Sequence, residues 1–245
     1  MNIEIIHEDN DIILCRKPAG VATQTKRLGQ QDMESLLKNY RAKKGEPPYI
    51  GVVHRLDQPV EGLMVFAKNQ KAAASLSKQI QGHMIGKHYY AVSSKVPGNF
   101  EGVLENYLLT DKKTNYTRVV EEGQSVTDCQ LNSNHSDAKK AVLEYKVISQ
   151  SMEGTLFDIL LHTGRQHQIR VQMAHMGCPL IGDEKYGEMS ATEGKKVDGT
   201  EFMRDAVKKK QLALCSYRLE FAHPTTGKKM DFSIKPEWEI FVQKN

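Results

Sequence analysis

Residues 51–57 read GVVHRLD, and an apolar run, LMVFA, follows at residues 63–67. The run is short and continuous, which predicts a buried strand. His54, Arg55 and Asp57 therefore place three titratable or charged groups within four residues at the entrance of that strand. Such groups lose free energy on desolvation unless each finds a partner. The spacing fits a functional loop, but taken alone it is more typical of an ordinary capping and ion-pair cluster at a strand end.

A second dense stretch reads LHTGRQHQIR at residues 161–170 and follows a predicted strand at residues 155–161. Thr163 is predicted to be the N-cap of a helix, which Gly177 ends. Two arginines and two histidines crowd the start of this helix, where the helix dipole favours anions. We therefore expect a phosphate or a carboxylate to be held at this end.

The histidines of this stretch do not form a recognisable metal site. His162 and His167 are five residues apart and lie on both sides of the predicted turn, unlike the i, i+4 zinc pattern. His175 is predicted to be packed or exposed rather than a ligand. Four cysteines (Cys15, Cys129, Cys178 and Cys215) lie far apart with no CxxC pair, which argues against a zinc site and a disulfide framework.

The remaining periodicities predict an α+β fold with a mixed, mainly antiparallel sheet flanked by helices and loops, because strands outnumber helices and do not alternate with them. An Asp9-Asn10 turn indicates an N-terminal hairpin, and Asn69 and Gly82 bound a predicted helix. Residues 188–211 are polar, rich in lysine and weakly periodic, which predicts a mobile insertion.

The composition is that of an ordinary globular chain: 245 residues, 39% hydrophobic, 26% charged, with a net charge of +4. No stretch approaches the ~20 apolar residues of a membrane helix, and residues 1–13 do not read as a secretory signal. We therefore predict a cytoplasmic protein that does not enter the membrane. The basic pairs along the chain fit either solvated loops or contacts to a polyanion.

Five motifs, in order, resemble the RluA-type pseudouridine synthases. The family's catalytic motif is similar to HRLD at residues 54–57, followed by Gly62-Leu63. Its second signature is similar to TGRQHQIRV at residues 163–171, followed by residues 177–187. The other three are Lys17-Pro18-Ala19-Gly20, Lys87-His88-Tyr89 and Pro224-Thr225-Thr226-Gly227. The resemblance runs from about Ile5 to Pro236, and it implies one catalytic domain over residues 1–245, with two lobes, a cleft between them and no preceding S4-type domain.

The resemblance also implies roles. Asp57 would be the catalytic residue that converts uridine to pseudouridine, Arg170 its ion-pair partner, and Tyr89 the ring beneath the target base, which would also help to remove the C5 proton. The candidates for RNA binding are Arg55, His54, Arg165 and Lys17. The implied partner is ribosomal or transfer RNA, the implied state a monomer, and no metal or organic cofactor is implied.

Two positions depart from the family pattern. Pro59-Val60-Glu61-Gly62 stands where small residues such as Thr-Ser-Gly are usual, so Glu61 adds a second carboxylate near Asp57, and Leu214-Cys215-Ser216 replaces a Leu-His-Ala. Three alternatives stay open: an inactive RNA-binding protein of the same fold, a nucleoside or glycoside hydrolase with Glu61 activating water, and a ribose-binding or structural protein.

Overall fold

The computed structural model describes residues 3–26, 29–121, 138–187 and 211–238. The chain forms two compact units, the first made of Met1–Tyr89 with Leu214–Asn245 and the second of Tyr90–Ala213. The predicted insertion at residues 188–211 lies outside the described residues except for Gln211. The predicted single domain, with a cleft between two lobes, stays a prediction.

Regular structure in the described ranges consists of strands and three helices. The strands are β1 (Glu4–Glu8), β2 (Ile12–Lys17), β3 (Gly51–Val52), β4 (Glu61–Ala67), β5 (Gly86–Ser93), β6 (Glu101–Asp111), β7 (Tyr116–Val120), β8 (Lys139–Ser151), β9 (Gly154–Leu161), β10 (Leu214–Ala222) and β11 (Lys229–Ser233). The helices are α1 (Met33–Lys43), α2 (Gln70–Gln81) and α3 (Gln168–His175). None of these helices is long and apolar enough to cross a membrane.

The sheet of the first unit is built around β4. Its strand order is β1-β2-β4-β10-β5, with β3 also paired to β4 and β11 to β10. β4 pairs antiparallel with β2 and β3 and parallel with β10. All seven residues of β4 are buried, as expected for a strand that has neighbours at both edges and is covered on its faces. The sheet is mixed and mainly antiparallel, which confirms the predicted fold class.

Local sequence signals explain the first unit's turns and helix ends. The hairpin of β1 and β2 forms as predicted, because Asp9 Oδ1 accepts hydrogen bonds from the backbone N–H groups of Asp11 and Ile12. Asn69 caps α2 by accepting the Ala72 N–H, and Gly82 ends it. Leu76 of α2 packs on the core side chains of β2, β4 and β10, a burial that contributes about 1.5–3 kcal/mol.

The second unit has the antiparallel order β9-β8-β6-β7. Burial in β8 alternates, with Ala141, Leu143 and Tyr145 inside and the intervening Glu144 exposed, which is the period of a half-buried strand. α3 packs against β6 and β7, and Val171 joins Leu108 and Ala141 in a small core.

The beginning of α3 differs from the prediction. The N-cap is His167, in the left-handed region with a φ of 53°, and not Thr163. Thr163 Oγ1 instead donates to Gln168 Oε1 at 2.8 Å, and Gln168 Oε1 also accepts the Arg165 N–H. The prediction of a Thr163 cap was wrong because this side chain closes a turn that precedes the helix. The helix ends as predicted at Gly177, with a φ of +89°.

Gly62 is the one β4 residue that must lack a side chain. Its φ is +134°, and a Cβ there would lie 2.5 Å from both the N and the O of Ser216 on β10. Both the dihedral and the contact with backbone atoms exclude other residues.

We predict that Gly62→Ala lowers the free energy of unfolding by about 3 kcal/mol or more, because backbone atoms of β10 cannot move aside cheaply. The measurement is urea unfolding followed by circular dichroism. Gly98→Ala is the matched control, since nothing lies within 4 Å of a Cβ there, and its effect should stay within about 0.5 kcal/mol. Equal stabilities of the two variants would contradict the prediction.

Candidate active site

Asp57 lies in a tight turn between β3 and β4. Its carbonyl accepts the Val60 N–H at 3.0 Å, and its side chain is half-buried. The next residue, Gln58, is bound to a second loop: its carbonyl accepts the Gly20 N–H at 2.8 Å, and its Nε2 donates to Gly20 O at 3.0 Å. The loop after β2 and the Asp57 turn are therefore hydrogen-bonded to each other.

The buried side chain of Lys17 is hydrogen-bonded to both the loop after β2 and the Asp57 turn. Its side chain is fully buried, and its ammonium donates to Gln58 O and Pro18 O, each at 3.0 Å, and to Val21 O. Burial lowers the pKa of Lys17 to about 7, opposed by the charges of Asp57 and Glu61. Three carbonyls account for the three ammonium hydrogens, so the expected phosphate contact by Lys17 has no support in this structure.

Thr23 holds the residue on the other side of Asp57. Its Oγ1 donates to Leu56 O at 3.0 Å, and the Leu56 N–H donates back to Thr23 Oγ1 at 3.2 Å. Thr23 and Leu56 are both buried. The backbone before and after Asp57 is thus held by one buried side chain on each side.

His54 and Arg55 point to different environments. His54 Nε2 accepts the Val65 N–H of β4 at 3.0 Å, which places its hydrogen on Nδ1. Burial, and then the charge of Lys87, lowers the pKa of His54 to about 4. A neutral imidazole bonded to the backbone does not support the predicted RNA contact. Arg55, in contrast, is exposed.

Tyr89 lies on β5 and is 5% exposed. Burial raises the pKa of Tyr89 well above its ordinary value; the Ser216 side chain opposes this shift, and the charge of Asp57 adds to it. The phenol is therefore held in its protonated form, which does not favour a phenolate as the base that removes the C5 proton. The contribution of the Asp57 charge to this pKa is consistent with the predicted proximity of the two side chains.

Glu61 is fully buried, at the first residue of β4. Its Oε1 accepts the Glu237 N–H at 3.0 Å, while its Oε2 lies 4.0 Å from Arg16 Nη1 and has no hydrogen-bond partner among the described residues. Burial raises the pKa of Glu61 to about 7; the charge of Glu237 adds to the shift, and the Glu237 N–H, Arg16 and Lys17 oppose it.

Arg170 is positioned within the second unit by Asp183. Its Nε donates to Asp183 Oδ2 at 2.8 Å and its Nη2 to Oδ1 at 2.6 Å, and both side chains are buried. Burial raises the pKa of Asp183, but Arg170 and the N–H groups of Lys185 and Tyr186 outweigh it and hold that pKa below its usual value. The sequence did not reveal this partner, although Asp183 lies in the second signature.

The predicted site residues are thus divided between the units. Asp57, Tyr89 and Lys17 come together in the first, whereas Arg170 and Arg165 lie in the second. Arg165 is exposed, with its Nε donating to Lys140 O at 2.9 Å. The predicted pairing of Asp57 with Arg170 stays a prediction.

A cluster of possible metal ligands lies at the hairpin of β1 and β2. Ligand atoms of Asp9, Asp11 and His223 fall within 4.8 Å of one another. His223 Nδ1 accepts the N–H groups of Thr225 and Thr226, so Nε2 carries the hydrogen and donates to Asp9 Oδ2 at 3.0 Å. An imidazole in this tautomer fits a hydrogen-bonded turn and does not fit a metal centre.

Comparison with known proteins agrees with the motifs. The family model described as RNA pseudouridylate synthase matches residues 11–175, and the chain belongs to this family, in its RluA-type branch. It is 33% identical over 234 residues to the ribosomal large subunit pseudouridine synthase D of Vibrio cholerae and 32% identical over 232 residues to the protein of that name in Haemophilus influenzae. Each match covers 94% of this chain and 66% of the relative, so the chain spans about two thirds of their length.

Solved structures show the same fold. The human protein called RNA pseudouridylate synthase domain containing 4 superposes with a TM-score of 0.76 at 23% identity, over 97% of this chain and 90% of that one. The human protein called RNA pseudouridylate synthase domain containing 1 superposes with a TM-score of 0.68 at 19% identity, over 96% of this chain and 84% of that one. The predicted pseudouridine synthase fold is confirmed.

The raised pKa of Glu61 makes stability depend on pH. A carboxyl group that binds its proton more tightly in the folded chain contributes stability that is complete below its unfolded pKa, 4.5, and is lost as the pH rises through about 7. The lowered pKa of His54 acts in the opposite direction between its folded value, about 4, and its ordinary value, 6.5. A difference between two variants is therefore needed to isolate Glu61.

We predict that Glu61→Gln gains stability relative to the wild type as the pH rises from 5 to 8, by about 3 kcal/mol over the full titration. Glutamine keeps an acceptor for the Glu237 N–H but cannot ionise. The measurement is urea unfolding of both proteins at several pH values. A stability difference that does not change with pH would show that Glu61 titrates normally.

Proposed function

We propose that this protein isomerises a uridine of RNA to pseudouridine, with Asp57 as the catalytic residue. The reaction breaks the bond between ribose C1′ and uracil N1, turns the base, and joins C1′ to C5. No atom is gained or lost, so the site needs one carboxylate and a pocket rather than the two spaced carboxylates of a glycosidase. The carboxylate of Asp57 adds to the substrate or stabilises positive charge at C1′.

The observation that carries this proposal is that buried side chains hold the backbone on both sides of Asp57. The residue is half-buried, while Lys17 and Thr23 hold the backbone on both sides of it. A reactive group on a firmly held backbone is pre-organised for its substrate. Tyr89, buried and electrostatically coupled to Asp57, supplies a neutral aromatic ring for the target base to pack on.

Exposed arginines are the RNA contacts that this structure supports. Arg55 precedes Asp57 by two residues, so we propose that it fills the space left by the flipped uridine or binds the flanking phosphate. Arg165 is proposed as a phosphate contact in the second unit. We do not propose Lys17 and His54 as RNA contacts. The Lys17 ammonium already donates to backbone carbonyls, and His54 Nε2 already accepts a backbone N–H.

The alternatives receive less support. A hydrolase would need Glu61 to activate water, but this side chain is fully buried. An inactive RNA-binding protein would not require Asp57 to be held so firmly. Because the relatives are named for the ribosomal large subunit, we propose ribosomal RNA of that subunit as the substrate, ahead of transfer RNA. A monomeric, cytoplasmic enzyme without metal or organic cofactor stays our prediction.

We predict that one pseudouridine of total RNA disappears in a strain that lacks this protein. It should return on expression of the wild type but not of Asp57→Ala, because alanine lacks the carboxylate that the proposed reaction requires at C1′. The measurement is pseudouridine mapping across ribosomal and transfer RNA. The Asp57→Ala protein must be present at wild-type level, as shown by immunoblot.

A null strain that keeps every pseudouridine would refute the proposed reaction. Release of free uracil from RNA by the purified protein would favour the hydrolase. A site restored by Asp57→Ala as fully as by the wild type would leave the reaction standing but exclude Asp57 as its catalytic residue.

We predict that Arg170 serves turnover as well as folding. Arg170→Met leaves Asp183 as a buried charge without its partner, which should lower the free energy of unfolding by about 3–5 kcal/mol. The double variant Arg170→Met/Asp183→Asn removes both charges, keeps an oxygen that accepts the Lys185 and Tyr186 N–H groups, and should recover most of this loss. Single-turnover rates and RNA dissociation constants are measured for both variants.

If Arg170 acts in the reaction, the double variant folds stably and binds RNA nearly as well as the wild type, but its single-turnover rate stays at least about 100-fold lower, as for loss of an electrostatic catalytic contact. Recovery of the rate together with stability would show that Arg170 is structural only.

A further inference from the structure

The second unit contains a groove that the proposed chemistry does not use. It lies between β7, α3 and the segment that ends at Gly187, and its cavity volume is about 410 Å³. Pockets for small ligands occupy about 300–1,000 Å³, so the groove suits one nucleotide and not a duplex. The residues that carry the argument line it: Tyr116, Arg118, His175 and Tyr186.

Arg118 is the charged group of the groove. Its Nη2 is buried and has no hydrogen-bond partner among the residues described. This nitrogen leaves the guanidinium without its full set of hydrogen bonds, and an anionic oxygen in the groove would pair with the guanidinium charge. None of the described residues that line the groove is acidic, so the local charge also favours an anion.

Aromatic rings form another wall. Tyr116 is 39% exposed, its ring centroid is 4.9 Å from that of Tyr186, and the Lys185 ammonium lies 6.0 Å from the Tyr116 ring. An exposed ring beside cationic side chains is the arrangement on which proteins stack single-stranded bases. A simple anion site would not require the rings.

Tyr186 connects this groove to the second signature. Its hydroxyl accepts the Thr117 N–H at 2.9 Å and is 2.7 Å from His167 Nδ1, while the Arg170 guanidinium lies 5.1 Å from the centroid of its ring. A ligand in the groove would therefore touch a side chain that also packs on Arg170.

We propose that this groove binds one unpaired nucleotide of the RNA substrate, with the base stacked on Tyr116 and the phosphate bound by Arg118. The inference rests on the proposed function in that the ligand is RNA. Because the groove would hold a nucleotide other than the one that reacts, its role is in substrate binding and not in the isomerisation.

The test is titration of fluorescently labelled hexauridylate, followed by anisotropy, in the Asp57→Asn background so that no turnover occurs. Arg118→Met should raise the dissociation constant about tenfold and lower the slope of log K against log salt by ~0.7, the value for one phosphate contact on a single strand. Tyr116→Ala should raise it at least about fivefold, whereas Tyr116→Phe, which keeps the ring, should bind like the parent.

Lys78→Met is the charge-matched control, because Lys78 is exposed on α2 and does not line the groove. Circular dichroism and urea unfolding establish that each variant is folded. If Arg118→Met changes binding no more than Lys78→Met, the proposal is overturned. If Arg118→Met raises the dissociation constant and Tyr116→Ala does not, the proposal is also overturned, because the groove then binds a phosphate without stacking a base.

These outcomes are separate from those of the proposed function. Binding in the Asp57→Asn background does not depend on turnover, so the groove can be established even if no pseudouridine is lost from the null strain. Conversely, loss of the modified site with unchanged hexauridylate binding in the groove variants would confirm the reaction and refute the groove.

Discussion

The buried ammonium of Lys17 is the interaction on which the Asp57 turn depends. A charge removed from water is tolerated only when its hydrogen bonds are replaced, and here three backbone carbonyls replace them. Those carbonyls belong to Pro18, Val21 and Gln58, so a single side chain joins the loop after β2 to the turn that carries Asp57. Apolar packing could not do this, because irregular loops leave polar backbone groups that require partners.

The same device recurs where other irregular segments meet regular structure. Arg41 of α1 donates to Lys68 O at 2.8 Å, beyond the end of β4. In the second unit, Asp183 accepts the N–H groups of Lys185 and Tyr186, in the segment after α3, while it binds Arg170 of that helix. In each case a buried polar side chain supplies hydrogen-bond partners to irregular backbone.

The sequence predicted what depends on neighbours along the chain. The Asp9 turn, the Asn69 cap and the buried strand β4 were correct because each is encoded within a few residues. The roles of Lys17 and His54 were not foreseen, since their partners Gln58 and Val65 lie 41 and 11 residues away. Thr163 was misassigned because Gln168, and not the helix backbone, takes its hydroxyl. A motif identifies which residues matter, but only tertiary contacts decide whether each one holds the backbone or meets the substrate.

Glu61 and Asp57 show how tertiary contacts distinguish residues of one motif, since they are two carboxylates in one short segment. Glu61 begins a fully buried strand, has an oxygen without a hydrogen-bond partner in the described part of the chain, and has a raised pKa. Asp57 lies in the turn before it and is half-buried. A group that reacts with a flipped nucleotide must be open to it. Burial therefore separates the two: the half-buried Asp57 fits the catalytic role that we propose, and the enclosed Glu61 does not.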